Sequence, residues 1–465
     1  MTPLRIGLLP FYLKLYDDLM PERRADFNAF ISRISGGFEA HGIAVSIAPV
    51  CRIASEFDSA VKAMEAAGVD AVVTLHLAYS PSLESVDAFC KSTLPLILLD
   101  TTMDASFGLD VKADRIMYNH GVHGVMDFAC MLRRRGRAFE IVAGHDDDPA
   151  LLDRAAGVVR AAVAAREMRG TRALRVGPAF KGMGDFTVEE TVLRGTFGLE
   201  IHEVGIGELD AAVVAVTDAA VETELAEDRA RFDCEPENPA HRRAVRIGLG
   251  LRRLLSDGGY GAMSVNFQAF DGTDRPASTM PFLEISKAMA RGTGYGGEGD
   301  VLTAAMVGAL ARAFKAVTFT EIFCADWSGN TLFLSHMGEI SPTVAGDRPR
   351  VFSKPFFVKG VPDVTVLTCA VKPGPAVFVN LAPGPDDTFT LIVAPVTVLA
   401  EDGTLDPAMR NTVRTWVRPQ CPVAEFLEAY SRAGGTHHSA LVLGDVAEAI
   451  AAFGRLLGID VVVIG

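Results

Sequence analysis

A chain of 465 residues is too long for a single hydrophobic core, so two to four domains are expected. Hydrophobic residues at 49% and charged residues at 22% are ordinary for a globular enzyme, and a net charge of −14 argues against nucleic acid or an anionic membrane as the main partner. The N-terminal segment shows no secretory pattern, and no apolar run approaches the ~18 residues of a membrane span, so a cytoplasmic location is expected. Seven scattered cysteines have neither zinc-site nor redox spacing and read as free thiols.

In chain order, Arg5–Pro10 reads as a strand, Ala25–His41 as a helix, Ile43–Pro49 as a strand and Phe57–Ala67 as a helix. Asp70–Leu75 follows as a strand, Ser82–Cys90 as a helix, then Leu94–Leu99 and Phe139–Ala143 as strands. Continuous apolar strands separated by helices predict a parallel sheet covered on both faces, a doubly wound α/β layer. Such layers place ligands beyond the carboxyl ends of their strands. The helical stretch Pro149–Arg169 stops at Gly170, which closes a first domain over residues 1–171.

A second α/β domain, residues 172–316, opens with the strand Ala173–Val176. It passes through a charged helical segment over Glu222–Arg246 and returns with Met263–Phe267. The third domain, residues 317–465, changes character. Val364–Val371, Ala376–Leu381 and Thr388–Val398 are β-branched runs broken by Pro and Gly, which predicts an antiparallel sheet or small barrel. A helix over Val423–Ala433, a Gly434-Gly435 break and a final helix and strand within Asp445–Gly465 complete the chain.

The glycine-rich run Gly292–Asp300 satisfies dinucleotide-binding spacing through Gly292, Gly294 and Gly297. That site needs a preceding strand, and Phe282–Arg291 has a helical pattern instead, so a nucleotide loop is not expected. Two readings remain: a turn with a solvated Glu298, or a loop that offers the Glu298 carboxylate beside a close backbone approach. Asp300 is placed to cap a helix beginning at Val301. Glu321 lies in the apolar strand Ala316–Phe323 and needs a partner there, either a metal ion or a basic side chain. His336, inside Leu332–Gly338, reads either as a satisfied core residue or as a ligand. Of the neighbours His437 and His438, an extended backbone lets one face a given site. Two carboxylates with two imidazoles form a donor set suited to Mn²⁺ or a similar divalent cation with positions left for sugar oxygens.

Four segments taken together resemble the L-arabinose isomerase family: Gly294–Asp300, Thr318–Glu321, Ser335–Glu339 and Ala433–Ser439. Fainter echoes lie at Leu75–Pro81, Asn119–Gly124 and Met280–Leu283, so the resemblance runs along essentially the whole chain. It implies that Glu298, Glu321, His336 and His438 hold the metal. It also implies three domains per chain and a hexamer whose active sites are completed by a neighbouring subunit's N-terminal domain.

By the same resemblance Glu298 and Glu321 are the acid–base pair for proton transfer between C1 and C2 of a small sugar through a cis-enediol. Tyr16, His120, His123, Met183, Phe270 and His437 are candidate substrate contacts, the first three for the neighbouring subunit's site. The substrate pocket departs from the family. Its Gly-Ser-Gln-His-Leu-Tyr-Gly motif is Pro10-Phe11-Tyr12-Leu13-Lys14-Leu15-Tyr16-Asp17 here, with Leu13 in place of a hydrogen-bonding glutamine. The Asn-Gln-x-x-His pattern becomes Asn119-His120-Gly121-Val122-His123. A sugar other than L-arabinose is therefore expected. The competing readings are a non-catalytic sugar-binding or regulatory protein on the same scaffold and a metal-dependent epimerase or aldolase.

Overall fold

A computed structural model describes residues 4–235, 238–270, 272 and 274–465. The first three residues of the N-terminal run, and Pro236 and Glu237 of the charged segment, lie outside the described residues. The chain divides into two compact units: Met1–Ala165 with Ala452–Gly458, and Arg166–Ala451 with Ile459–Gly465. No helix among the described residues is long and apolar enough to cross a membrane.

The first unit is built on β1 (Leu4–Phe11), β2 (Ile43–Ile47), β3 (Ala71–His76), β4 (Leu96–Asp100) and β5 (Glu140–Ala143). These strands are all parallel, in the order β2-β1-β3-β4-β5. β3 is buried along its whole length, as its continuous apolar run requires. The Phe11, Phe57, Phe89 and Phe128 rings pack 4.5–5.9 Å apart on one face. Each such side chain contributes roughly 1.5–3 kcal/mol on leaving water. The helix expected over Ala25–His41 begins as a 3₁₀ turn, Pro21–Phe27, and becomes α-helical over Asn28–Ala40.

The second unit starts with another parallel sheet. Its strands are β6 (Arg172–Val176) and β7 (Glu200–Val204), then, beyond the two-residue strand β8 (Asp233–Cys234), β9 (Ala262–Val265) and β10 (Gly294–Gly297). The order is β10-β9-β6-β7. The charged stretch expected to be helical over Glu222–Arg246 is two helices, Asp218–Arg231 and Pro239–Gly258, separated by β8. Asn238 caps the second helix: its side chain accepts from the Ala240 amide at 2.9 Å, and Pro239 takes the first helical position.

The glycine run, expected to be a loop, is instead the edge strand β10. A Cβ at Gly294 would lie 1.9 Å from the Ala304 carbonyl oxygen. The strand packs this closely against its own following helix, Val301–Phe314, only because the side chain is missing.

The remaining strands are β11 (Val317–Asp326), β12 (Thr331–Ser335), β13 (Arg350–Lys354), β14 (Val364–Thr368), β15 (Gly374–Pro383), β16 (Phe389–Val398), β17 (Thr415–Pro419), β18 (His438–Leu443) and β19 (Asp460–Val463). Six of them pair antiparallel as β15-β18-β11-β12-β17-β16, and β16 pairs again with β15, so the sheet closes into a barrel. Closure removes the edges that six short β-rich segments would otherwise expose. β14 is not a barrel strand; it joins β13 and β8 in a small separate sheet.

Candidate metal centre

The centre is assembled where the barrel meets the glycine strand. In β11, Glu321 is in register with His438 of β18 on one side and Ser335 of β12 on the other. His336 follows Ser335 directly, so two barrel pairings bring one carboxylate and two imidazoles together. The fourth group comes from the end of β10. Glu298 adopts φ 52°, a left-handed conformation costly for a residue with a Cβ, and is 5% exposed. A Cβ on the preceding Gly297 would stand 3.1 Å from His438 Nε2, so the backbone runs against the imidazole.

One donor atom from each of Glu298, Glu321, His336 and His438 lies within 4.8 Å of the others. His336 Nε2 is 3.0 Å from Glu321 Oε1 and 3.9 Å from Glu298 Oε1. His438 Nε2 is 2.9 Å from Glu298 Oε2 and 3.2 Å from Glu321 Oε1. Both imidazoles turn Nε2 inward and give Nδ1 to an outer carboxylate. His438 Nδ1 meets Asp300 Oδ2 at 2.9 Å, and His336 Nδ1 meets Glu339 Oε1. Asp300 also caps the helix after it through the Thr303 amide, at 2.9 Å, and Glu339 accepts from the Gly338 amide at 2.9 Å. The outer carboxylates are thus themselves anchored, and they fix both ring planes and tautomers.

Burial alone would raise the Glu321 pKa, but hydrogen bonds from His336 and His438 outweigh it and hold the carboxyl at about 2. Burial works against charge on His336 too, yet Glu339 and Glu321 bring it up to about 10. His438 is likewise driven well above the ordinary histidine range by Asp300, Glu298 and Glu321, against burial. Phe319 presents its ring to both imidazoles, with centroids 4.9 and 5.2 Å away, and leaves the cluster dry on that side.

The other sequence candidates fall elsewhere. His437 turns away from the cluster and bonds Asp185 through Nδ1 at 2.6 Å and through its backbone amide at 2.9 Å. Phe186, beside Asp185, stacks on the His438 ring at 5.1 Å, a contact no sequence motif signals. Met183 is half-buried in the same connection, and Phe270 is fully buried after the turn Phe267–Ala269. Tyr16, His120 and His123 belong to the first unit, where the Tyr16 hydroxyl and His120 Nε2 are 3.1 Å apart and His123 packs on Tyr79. Asp300 and Glu339 are the residues that sequence reasoning left without a role at the centre. Their spacing to Glu298 and His336, two and three residues, is the one signal that could have suggested them.

Residues 187–316 match the L-arabinose isomerase central domain, and residues 316–460 match the L-arabinose isomerase C-terminal domain. An L-arabinose isomerase of Geobacillus kaustophilus is 30% identical over 405 residues, which cover 84% of this chain and 80% of that protein. The chain belongs to the L-arabinose isomerase family. The L-arabinose isomerase of Geobacillus thermodenitrificans is 29% identical over the same shares of the two chains. That of a Nocardioides species is 28% identical over 83% of this chain and 78% of its own. The family consists of aldose–ketose isomerases, and the four-residue cluster lies within the two stretches matched to its domains.

Proposed function

We propose that this member of the L-arabinose isomerase family is a divalent-cation-dependent aldose–ketose isomerase, with Mn²⁺ the best-suited ion. The observation that carries the reading is the convergence of Glu298, Glu321, His336 and His438 with both imidazole Nδ1 atoms tied to anchored carboxylates. The donor set fits such an ion: two hard carboxylates and two imidazoles in fixed tautomers, with no thiolate. When bound, the cation supplies electrophilic stabilisation of the oxyanion that develops on the open-chain sugar.

The protein's own groups do the rest. Glu298 and Glu321, each in contact with His438 Nε2, share the proton transfers: one takes the C–H proton, the other carries the hydroxyl proton. His336 and His438 hold position rather than exchange protons, because each Nδ1 is committed to a carboxylate. Phe319 and Phe186 keep water from the imidazole faces.

The finer parts of the reading concern substrate and assembly. Leu13 and His120 stand where the family's hydrogen-bonding glutamines would be, and such a change in a hydroxyl-reading site favours a pentose, deoxy sugar or shorter sugar other than L-arabinose. Tyr16, His120 and His123 serve the site of a neighbouring subunit in a hexamer, and each chain has three domains, 1–171, 172–316 and 317–465. Met183, Phe270 and His437 line or flank the substrate. The deciding experiment incubates the Mn²⁺-loaded protein in D₂O with a panel of four- to six-carbon aldoses and ketoses. Interconversion with deuterium at C1 or C2 is the expected result. No isomer from any sugar refutes the activity, and L-arabinose outperforming every other aldose refutes the altered substrate.

A further inference from the structure

An arginine-rich cavity in the second unit lies outside the centre just described. A cavity of about 510 Å³ is lined by Arg348, Arg350, Arg410 and Arg414, with Asp233, Asp347 and Glu401 among them. It adjoins one of about 390 Å³ that shares Asp233 and Arg348 and adds Arg229. Five arginines against three carboxylates give a lining of +2 in a chain whose net charge is −14. None of Glu298, Glu321, His336 and His438 lines either cavity.

The charges are also poorly neutralised. Arg414, buried at 3% exposure, is paired with Glu401 at 2.6 and 3.0 Å. Among the described residues it is the one arginine of the five with an ion pair. Arg348 donates through Nη2 to three main-chain carbonyls, those of Arg229, Ala230 and Phe232, at 3.0–3.3 Å. Arg350 donates to Asn411 Oδ1 at 2.7 Å. Neutral acceptors orient a guanidinium and leave its full charge in place. Asp347 is engaged by the Ala370 amide at 3.0 Å rather than by a cation. A cavity of this size suits a small molecule. Guanidinium forks held on a rigid frame match the oxygens of a phosphate.

We propose that this groove is a binding site for a small phosphate monoester, separate from the sugar site. The phosphate is held by Arg348, Arg350 and Arg410, and the 510 Å³ volume accommodates an organic body the size of a monosaccharide. Arg414, already matched to Glu401, forms the floor.

The test is calorimetric titration of the full-length protein with glucose 6-phosphate, inorganic phosphate and glucose at physiological salt. Saturable binding of glucose 6-phosphate is expected, weaker binding of inorganic phosphate, and none of glucose at this groove. Arg350→Gln and Arg410→Gln, which spare the carbonyl contacts of Arg348, should each weaken it about tenfold, as loss of one charge-assisted contact does. Arg194→Gln, at an exposed position elsewhere, should change nothing. Binding unaffected by the two groove variants overturns the proposal, as does binding that disappears once salt is raised from low to physiological strength. If the variants instead change the oligomeric state and no phosphate binds, the groove is an interface for an acidic segment of a second copy and the small-ligand reading fails.

Discussion

Glu321 and His438 are register partners on adjacent antiparallel strands, and their side chains meet with Oε1 and Nε2 3.2 Å apart. Directly paired residues on one face of a sheet are close whatever their separation along the chain. Here the pairing joins positions 117 residues apart, and the same strand brings in Ser335 and so His336 from its other edge. Glu321, His336 and His438 are therefore placed by the barrel wall, with Glu298 brought to them from the end of β10.

Glu321 can be tested without dismantling the strand that carries it. Glu321→Gln keeps the strand and the side-chain volume but removes the charge. We expect kcat to fall about 10²–10⁴-fold, the usual worth of a positioned acid–base group, with the fold retained and the melting temperature lowered by loss of the charge that His336 and His438 pair with. Steady-state kinetics beside a thermal melt measure both. Glu298→Gln should behave alike, and near-normal turnover in either variant rejects the role given to that residue.

The outer carboxylates should act on affinity more than on rate. Asp300→Asn and Glu339→Gln leave the four inner groups in place and loosen one imidazole each. Mn²⁺ affinity measured by calorimetry should drop about 10–100-fold, while kcat at saturating metal changes far less. Unchanged affinity in both variants would show that the rings are oriented by packing instead.

Two glycines of one strand should fail in different ways. A methyl on Gly297 meets His438 Nε2 at 3.1 Å, so Gly297→Ala displaces a ligand side chain and should weaken Mn²⁺ binding with the fold retained. A methyl on Gly294 meets the Ala304 carbonyl at 1.9 Å, which forces strand and helix apart. Gly294→Ala should lower stability by several kcal/mol, on the order of other overpacked core sites or more. Urea unfolding and calorimetry on the pair distinguish the two effects, and identical behaviour would contradict the geometry.

Acid sensitivity should originate in part outside the centre, in a buried ionic network whose Glu224 carboxyl is depressed as Glu321 is. Lys287, 2% exposed, bonds Glu224 Oε1 at 2.5 Å and Asp228 Oδ1 at 2.8 Å, and Arg252 bridges Glu224 and Glu284 at 2.6 and 2.7 Å. Burial raises the Glu224 pKa, but Arg252 and Lys287 outweigh it and lower the carboxyl from 4.5 to about 2. A carboxyl depressed on folding stabilises the native state fully above its unfolded value. That contribution, roughly 3 kcal/mol, is lost as pH falls from about 4.5 toward 2. Unfolding midpoints followed from neutral to acid pH should decline in that window, and Glu224→Gln should flatten the decline. An acid limb unchanged in Glu224→Gln assigns it to other groups.

Much of the architecture was legible locally. Continuous apolar strands such as Ala71–His76 announced a covered parallel sheet, and the Pro- and Gly-broken β-branched runs after Val364 announced an antiparallel barrel or sheet. The glycine run misled, because a strand of Gly-Tyr-Gly-Gly has no side-chain alternation to read. Its state is set by the helix Val301–Phe314, which leaves no room for a Cβ. The break before Asn238-Pro239 was missed inside a long charged stretch read as one helical segment.

Residue type and chain order came from the sequence alone: two glutamates and two histidines in apolar surroundings, and the rule that His437 and His438 face opposite ways. Local pattern left the choice between the two histidines open and the family resemblance named His438; the register of β11 against β18 supplies the physical reason that it turns inward. Tertiary structure gave Asp300 and Glu339 their places, since an imidazole's second partner depends on ring orientation in three dimensions. Backbone pairing can slide by one residue without altering any local pattern, and each slide reverses every side chain. Only the packed barrel fixes that choice.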